Sequence, residues 1–584
     1  MLRHSVSTSL RRFSTVTPVL LDSISGLQKE IRQHGDYYSW YSCGPTVYDS
    51  SHVGHARTYM EIDLLQRILS TQFGINIYSA MGITTIDDKI LRKSKETNVA
   101  WKEIAAKYEG EFFDDMRRLN VMKPMSVIRV DENIPEICDF IKVLVDKDIA
   151  YVTPSGVYFD TQSPHYSYSK LVPPVVDADT QSRLVPDIAK RHPHDFALWK
   201  KYPDTVVGGM STTWPSPWGS GLPGWHIECS TNCQVLFGST LDMHTGGIDL
   251  RFPHHCNEIA QCEAYNGSKW CNHMLHIGHI YIEGRKMSKS LKNFITISEM
   301  LKDYSGDDFR MFCMMNHYDA RIQLDDNGLQ RAQQIWTNLK NSIRLLQNEL
   351  AKTDSNSDTI SHQTVNEWVR QLGLMKTEIT SFFANDMNTY QVVMTLQKSL
   401  QFATERLLKD RHSVPPQPAS ALLTYVCGLL RDLGFTELEQ KQQSDFSGMV
   451  DELCRFRSGV RQSCIQENNS RIREDVLKLC DDLRIKMSEE HSVSIIDGSP
   501  SVLWVPGKLQ TKKPVSKSKP VLTPDIPPEV MFRKSGEYSE FDSNGIPTHD
   551  KNGKPLSATK LKKLHKQYET HKAIHQKWLS QKHT

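Results

Sequence analysis

The sequence predicts an α/β protein: a doubly wound, Rossmann-like parallel sheet with an inserted connective subdomain, followed by an α-helical bundle and a basic C-terminal extension. Three observations predict this. A strand–loop–helix–strand order begins near residue 37. A Pro- and Gly-rich stretch over 151–218 interrupts that pattern before it resumes near Gly224. From Leu329 onward, apolar residues recur at spacings of three and four along several long runs.

Residues 37–43 are aromatic and strand-like. A loop containing Gly44 and Pro45 follows, then a helix from about Tyr59 to Leu69, and a second strand over 75–81. Ile134, Ile137, Ile141, Leu144 and Val145 mark a helix over 133–148. The next region holds short β-like pieces such as Val157-Tyr-Phe, and further strands are expected around 241–244 and 276–282. In the helical part, one stripe joins Ile335, Leu339, Ile343, Leu346 and Leu350. A second joins Val365, Trp368, Leu372, Met375, Ile379 and Phe382, and a third Val393, Leu396, Leu400 and Leu407. Such stripes bury one helix face against another and carry no chemistry. Residues 505–528 read as a Lys- and Pro-rich linker, and 557–578 as a basic helix.

Composition bounds the function classes. Hydrophobic residues make up 39% and charged residues 24% of the 584 residues, ordinary for a globular chain. The sequence has no run of 18 apolar residues, so no membrane span is expected. The net charge is only +2, but residues 507–584 hold 16 Lys and Arg against 7 Asp and Glu. A basic tail on an acidic body suggests contact with a polyanion; a solvated tail is the alternative. Twelve cysteines in a chain of this length are no disulfide scaffold. Cys427 and Cys454 sit in apolar helical runs and read as small buried hydrophobes. The first 21 residues hold Arg and Ser but no acidic residue, the composition of a mitochondrial transit peptide.

Two short motifs carry chemistry. His52-Val-Gly-His55 follows the first strand and opens the first helix, and Lys286-Met-Ser-Lys-Ser290 lies 231 residues later in a loop after the last strand. A helix N-terminus offers backbone N–H groups and a favourable dipole to phosphate. His52 and His55 can donate hydrogen bonds to phosphate oxygens, Gly54 permits close approach of a ring, and Lys286 and Lys289 add positive charge. For either histidine alone, a helix-capping or surface role is the competing reading. A second constellation is Cys43, Cys229, His254 and Glu258. Pro253 suits the first position of a helix, which would place His254 and Glu258 on one face. Two Cys, one His and one Glu make a plausible zinc set, although their spacing is scattered. The competing reading is buried free cysteines beside a surface His–Glu pair.

These residues together resemble the cysteinyl-tRNA synthetases, a family of class I aminoacyl-tRNA synthetases. The resemblance rests on Tyr41-Ser-Cys-Gly-Pro-Thr-Val-Tyr-Asp49, His52-Val-Gly-His-Ala-Arg-Thr-Tyr59, Asp87-Asp-Lys89, Asp195-Phe-Ala-Leu-Trp-Lys200, Gly224-Trp-His-Ile-Glu-Cys-Ser230, Gly246-Gly-Ile-Asp-Leu250, Phe252-Pro-His-His255 and Lys286-Met-Ser-Lys-Ser-Leu-Lys-Asn-Phe294. It is strong over 35–330 and looser over 331–490, where Asn385-Asp-Met-Asn-Thr389 also fits. The arrangement and the N-terminus look most like the mitochondrial branch.

The resemblance implies one zinc ion on Cys43, Cys229, His254 and Glu258, binding the thiolate of substrate cysteine. It implies that Gly44, Thr84 and Trp225 contact the amino acid, core packing being the alternative for Trp225. It places Gly247 and Asp249 beside adenosine, and Lys286, Ser288 and Lys289 on ATP, with Mg2+ accompanying the nucleotide. The implied reaction forms cysteinyl-adenylate and then transfers cysteine to tRNA(Cys). Two departures from the family pattern stand out: Thr85 where an Asp is usual, and Cys256 where a Glu is usual. Cys256 and Cys233 are weaker candidates for the metal. The expected organisation is a transit peptide over 1–21 and the first half of the catalytic domain over 22–150. A connective insertion over 151–223 and the second half over 224–285 come next. The loop and stem-contact region over 286–330, an anticodon-binding bundle over 331–503 and the basic extension over 504–584 complete it. A monomer in the mitochondrial matrix is expected, with the cytoplasm the alternative. Two rival readings are a ligase joining cysteine to a small amine, and an inactive paralogue binding tRNA or a protein. The helical region argues against the first and the intact motifs against the second.

Overall fold

The structure, a computed structural model, describes residues 16–168, 170–171, 188–282, 285–286, 294–351, 360–410, 414–438, 447–465, 470–490, 493–497, 502–506 and parts of 527–576. It comprises two compact units, Met1–Leu509 and Gln510–Thr584.

In the first unit, a hairpin of β1 (Val19–Asp22) and β2 (Leu27–Glu30) precedes β3 (Tyr38–Thr46). Helix α1 (Val53–Phe73), β4 (Ile77–Thr84), α2 (Asp88–Thr97), α3 (Trp101–Arg118), β5 (Ser126–Arg129) and α4 (Ile134–Asp146) follow. The chain then leaves the central sheet. Strands β6 (Ala150–Thr153), β7 (Gly156–Phe159) and β8 (Phe196–Lys201) belong to an antiparallel insertion. A short hairpin of β9 (Val206–Val207) and β10 (Met210–Ser211) follows, and β11 (Gly221–Pro223) completes the insertion's sheet in the order β11-β8-β7-β6.

The central sheet is rejoined through α5 (Trp225–Phe237), β12 (Leu241–Gly247), α6 (Cys256–Asn266) and β13 (Cys271–Ile277). Its order is β13-β12-β3-β4-β5, every pairing parallel. The first half of the chain winds outward from β3 on one side and the second half from β12 on the other. The order therefore reverses between β3 and β12, where open α/β sheets place ligands at the carboxyl ends of the strands. Strand β3 is almost wholly buried, because helices cover both faces of such a sheet.

Strands β14 (Ile280–Ile282), β15 (Arg285–Lys286) and β16 (Ile322–Gln323) form a separate small sheet, with α7 (Ile297–Met300) and α8 (Gly306–Met314) between β15 and β16. Helices α9 (Asp326–Ala351), α10 (His362–Ala384), α11 (Thr389–Lys409) and α12 (Pro416–Asp432) bury the expected stripes, among them Leu339, Ile343, Trp368, Ile379, Leu396 and Leu400. A smaller core joins α13 (Ser447–Ile465) and α14 (Ser470–Glu490) to the hairpin of β17 (Val493–Asp497) and β18 (Val502–Pro506). The second unit holds the hairpin of β19 (Tyr538–Phe541) and β20 (Pro547–Asp550), and helical residues between 560 and 576, around Phe532, Ile546, Leu564 and Tyr568.

Several expectations are corrected. Helix α1 begins six residues before Tyr59, because His52 caps it. The strand expected over 276–282 is two strands in two sheets. They part at Gly278, where a Cβ would lie 2.2 Å from the Ala320 carbonyl oxygen. Lys286 stands in β15 rather than in a loop. The expected boundary at residue 21 cuts through β1, whose Leu20 is fully buried. The boundary at 503 and the linker from 505 likewise cut β18. Residues 1–15 and 507–526 lie outside the described residues.

Candidate functional site

Strand β3 delivers Cys43 near its carboxyl end, paired in register with Gly82 of β4. Helix α5 delivers Cys229 from its second turn. The turn Arg251–His255 and helix α6 deliver His254 and Glu258. The α-helix proper starts at Cys256 rather than at Pro253, yet the i,i+4 spacing still brings His254 Nε2 within 3.1 Å of Glu258 Oε1. Cys43 Sγ lies 3.7 Å from Cys229 Sγ and 3.6 Å from Glu258 Oε1. All four donor atoms lie within 4.8 Å of one another, and all four residues are buried.

These distances fit a metal. Two sulfurs each about 2.3 Å from a tetrahedral zinc stand roughly 3.8 Å apart, whereas a disulfide closes to about 2.05 Å. The electrostatics fit as well. Glu258 is fully buried, and among the described residues its ion-pair partners are histidines, with no lysine or arginine. Burial raises the Cys43 thiol far above its ordinary value. The Cys229 thiol is pulled down by its hydrogen bond with Cys43, but burial and Glu258 outweigh this and raise it. Burial lowers His254 to about 3, so its imidazole is neutral and offers a lone pair. A divalent cation would relieve the crowding of these donors.

The histidines around this set have no local signature in the sequence. His244 Nε2 lies 2.9 Å from Glu258 Oε2, leaving Oε1 to face Cys43 and His254. His226 Nδ1 lies 2.9 Å from His254 Nδ1, so Nε2 of His254 faces the cluster. His255 Nε2 approaches Cys43 Sγ to 3.4 Å, while its Nδ1 lies 2.7 Å from His276 Nε2. Cys43, His244, His255 and Glu258 form an overlapping donor set. The set with two thiols suits zinc better, and His244 then acts as the outer partner that orients the carboxylate. Cys256 and Cys233 are buried and belong to neither set. Cys256 is raised by burial to about 11 and lies beside Tyr168.

The three residues expected to contact the amino acid surround this cluster. Gly44 follows Cys43 directly, and a Cβ there would lie 2.3 Å from the Gly82 carbonyl oxygen. The tight β3–β4 ladder therefore demands glycine on its own account. Thr84 is buried at the end of β4 and donates its hydroxyl to Glu228 Oε2 at 2.9 Å. Burial holds the Glu228 carboxyl well above the ordinary range. Trp225, half-buried, lays its ring 4.4 Å from that of His254. Thr85, the departure from the family pattern, donates to Asp131 Oδ1 at 2.5 Å.

Of the residues expected to face the nucleotide, His52, Gly54 and His55 lie at the amino end of α1. His52 and His55 stack at 3.8 Å and cap the helix reciprocally: each backbone N–H donates to the other's Nδ1 at 3.3 Å. With both Nδ1 atoms accepting, a neutral ring carries its proton on Nε2. The first-turn amides are less available than the sequence suggests. The Val53 N–H donates to the Ile295 carbonyl and the His55 N–H to His52. These two amides are therefore already engaged within the protein. Gly54 lies between them. Across from α1, a Cβ on Gly247 would lie 2.6 Å from Asp249 Oδ1 and 3.8 Å from Thr58 Oγ1, so the end of β12 faces this helix. Tyr59, also on α1, donates to the Cys43 carbonyl at 3.2 Å and ties the two halves of the site together. Ser288 and Lys289 lie outside the described residues. Among the described residues, no helix is long and apolar enough to cross a membrane.

Comparison with known proteins fits this geometry. Residues 30–334 match the family described as tRNA synthetases class I (C) catalytic domain. The cytoplasmic cysteine–tRNA ligase of Dictyostelium discoideum is 33% identical, covering 93% of this chain and 89% of the relative. The "probable cysteine–tRNA ligase, mitochondrial" of Xenopus tropicalis is 38% identical over 74% of this chain and 76% of the relative. The methionyl-tRNA synthetase of Mycobacterium tuberculosis in complex with methionyl-adenylate shares the fold. It has a TM-score of 0.51 at 14% identity, covering 68% of this chain and 91% of that one. The chain belongs to the class I tRNA synthetases, within the family of cysteine–tRNA ligases.

Proposed function

We propose that the chain activates cysteine with ATP to cysteinyl-adenylate and then transfers the cysteinyl group to the 3′ end of tRNA(Cys). The meeting of Cys43, Cys229, His254 and Glu258 beside α1 is the observation that supports this reading. These four residues would hold one zinc ion, which when bound supplies a soft centre that takes sulfur as thiolate and disfavours the hydroxyl of serine. Gly44, Thr84 and Trp225 would shape the amino-acid pocket, with Glu228 fixing the Thr84 hydroxyl.

The substrate's own carboxylate attacks the α-phosphorus, and pyrophosphate leaves. No side chain serves as nucleophile, so catalysis is positioning and charge stabilisation. His52 and His55 donate from Nε2 to phosphate oxygens as negative charge builds. Lys286, Ser288 and Lys289 engage the triphosphate, which carries Mg2+. Gly54 and Gly247 let adenosine approach the backbone, and Asp249 accepts from a ribose hydroxyl. In the second step the terminal ribose hydroxyl attacks the cysteinyl carbonyl and AMP leaves. Residues 286–330 would contact the acceptor stem and 331–503 the anticodon end. The basic extension over 504–584 would contact the RNA backbone through counterion release.

Metal analysis combined with cysteine-dependent ATP–pyrophosphate exchange tests the reading. Cys229→Ser loses both zinc and exchange, whereas Lys289→Ala keeps zinc and loses exchange. Retained zinc and full activity in Cys229→Ser would defeat the metal assignment.

We further assign the chain to the mitochondrial matrix, on the Arg- and Ser-rich, acid-free N-terminus, and as a monomer. Its relatives include both mitochondrial and cytoplasmic ligases. Finding the protein only in the cytosolic fraction would refute the compartment, and light scattering tests the monomer.

A further inference from the structure

Arg57 lies in the second turn of α1, fully buried, and its guanidinium serves the backbone of two distant segments. Nη1 donates to the Gly278 carbonyl at 2.8 Å and to the His279 carbonyl at 3.0 Å. Nη2 donates to the His317 and Tyr318 carbonyls at 3.1 and 3.3 Å. Nε stands 3.7 Å from Glu61 one turn further along α1. Residues 278–279 lead directly into the β14–β15 hairpin that carries Lys286.

The chain beyond that hairpin is held by the same helix end. The Val53 N–H donates to the Ile295 carbonyl, and the Ile297 N–H to the Ser51 carbonyl. Both approaches to the Lys286 motif are therefore tied to the first two turns of α1 and the residue that leads into its cap. The 317–318 segment is anchored in turn to the loop between α10 and α11. His317 Nε2 lies 2.9 Å from the Asp386 carbonyl, and the Tyr318 hydroxyl donates to Asp386 Oδ1 at 2.5 Å.

We propose that Arg57 is a positioning residue for the activation step: it sets the place of the Lys286-bearing hairpin relative to His52 and His55, and shares that anchor with the helical bundle through Tyr318 and Asp386. A guanidinium suits this task because its planar fork reaches four carbonyls at once, which an ammonium on a flexible stem cannot do. On the proposed mechanism, charge on the transferring phosphate is met by the imidazoles and by the Lys286 motif. A hairpin misplaced by about 1 Å lowers the rate on the order of 100-fold. This inference rests on the reading that Lys286 acts on the nucleotide.

The test is a double-mutant cycle in cysteine-dependent ATP–pyrophosphate exchange, read alongside zinc content and the KM for cysteine. Arg57→Lys is expected to lower kcat on the order of 10- to 100-fold, with zinc content and the KM for cysteine unchanged. In a Lys286→Ala background the same substitution is expected to cost little more, because the hairpin's effect is already lost. Tyr318→Phe, which keeps both backbone carbonyls, is the milder variant should Arg57→Lys not fold; it is expected to show a smaller kcat loss with the same dependence on Lys286. Equal fold losses in both backgrounds would overturn the proposal and leave Arg57 a purely structural residue. If Lys286→Ala by itself exchanges at the parent rate, the nucleotide reading of the hairpin fails and the proposal fails with it.

Discussion

The stacked His52–His55 pair does two things at once, and these can be separated. Each Nδ1 caps a backbone N–H of α1, while each Nε2 is the donor proposed for phosphate. A Ser at the cap and a Gln three residues later form an ordinary reciprocal capping box without an imidazole. The double substitution His52→Ser with His55→Gln should therefore preserve the helix and remove both donors. Losing a cap typically costs about 1 kcal/mol. At 3.3 Å both bonds are long, so the cost per cap should be about 0.5–1 kcal/mol. His52→Ala with His55→Ala should then lose about 1–2 kcal/mol, or roughly 2–8 °C in unfolding temperature for a domain of this size. The recapped variant should stay within about 0.5 kcal/mol of the parent. In exchange assays both double variants should lose activity alike, by about 10²–10³ per donor removed. If the recapped variant exchanges at the parent rate, capping is the histidines' whole role and the donor argument is wrong.

Three further predictions follow from packing and charge. Gly44→Ala puts a Cβ against the Gly82 carbonyl and should destabilise by about 1–3 kcal/mol; because Cys43 is the next residue, bound zinc measured by metal analysis should fall with it. In Asp22, burial pushes the carboxyl up, but the Lys29 ammonium, the Ser25 hydroxyl and the Met274 N–H outweigh it and hold it at about 2. A lowered folded value means stability that is present above about pH 4 and lost as pH falls through about 2. The contribution is at most about 2 kcal/mol, and Asp22→Asn should flatten that part of an acid-unfolding curve. Arg310→Met breaks a fully buried pair with Asp63 and removes donors from the Leu119, Asn120 and Leu433 carbonyls. Asp63 keeps Arg67 and the Met122 N–H, so the loss in denaturant unfolding should lie near the low end of about 3–5 kcal/mol.

What the sequence reveals depends on how local the physics is. The stripes through Leu339 and Leu396 are legible because a helix repeats within its own span. The His52 and Lys286 motifs are legible because several fixed residues sit side by side. The four candidate metal donors are spread over 216 positions, and resemblance rather than spacing assembles them. His226, His244 and His276 stay hidden because their partners come from other strands and helices. Arg57 stays hidden because it binds carbonyls, which every residue possesses. At Gly278 the sequence offers only a Gly-His pair inside a strand-like stretch, a sign of close backbone approach; that the strand divides there follows from the nearness of Ala320, which is remote in the chain. The start of α1 is legible from the His52 motif that opens it, whereas the apolar pattern alone begins only near Tyr59; the reciprocal capping by the two histidines is not legible, because His is an unusual capping residue.

The order in which the four candidate donors leave the ribosome bears on how the proposed ion would be acquired. Cys43 emerges with the first strands, but Cys229, His254 and Glu258 follow only after the whole insertion has been synthesised. A nascent chain that ends before Cys229 has only one of the four residues, and all four are present once Glu258 has been made. Were zinc bound there as proposed, its full donor set would exist only once the second half of the sheet has begun to emerge.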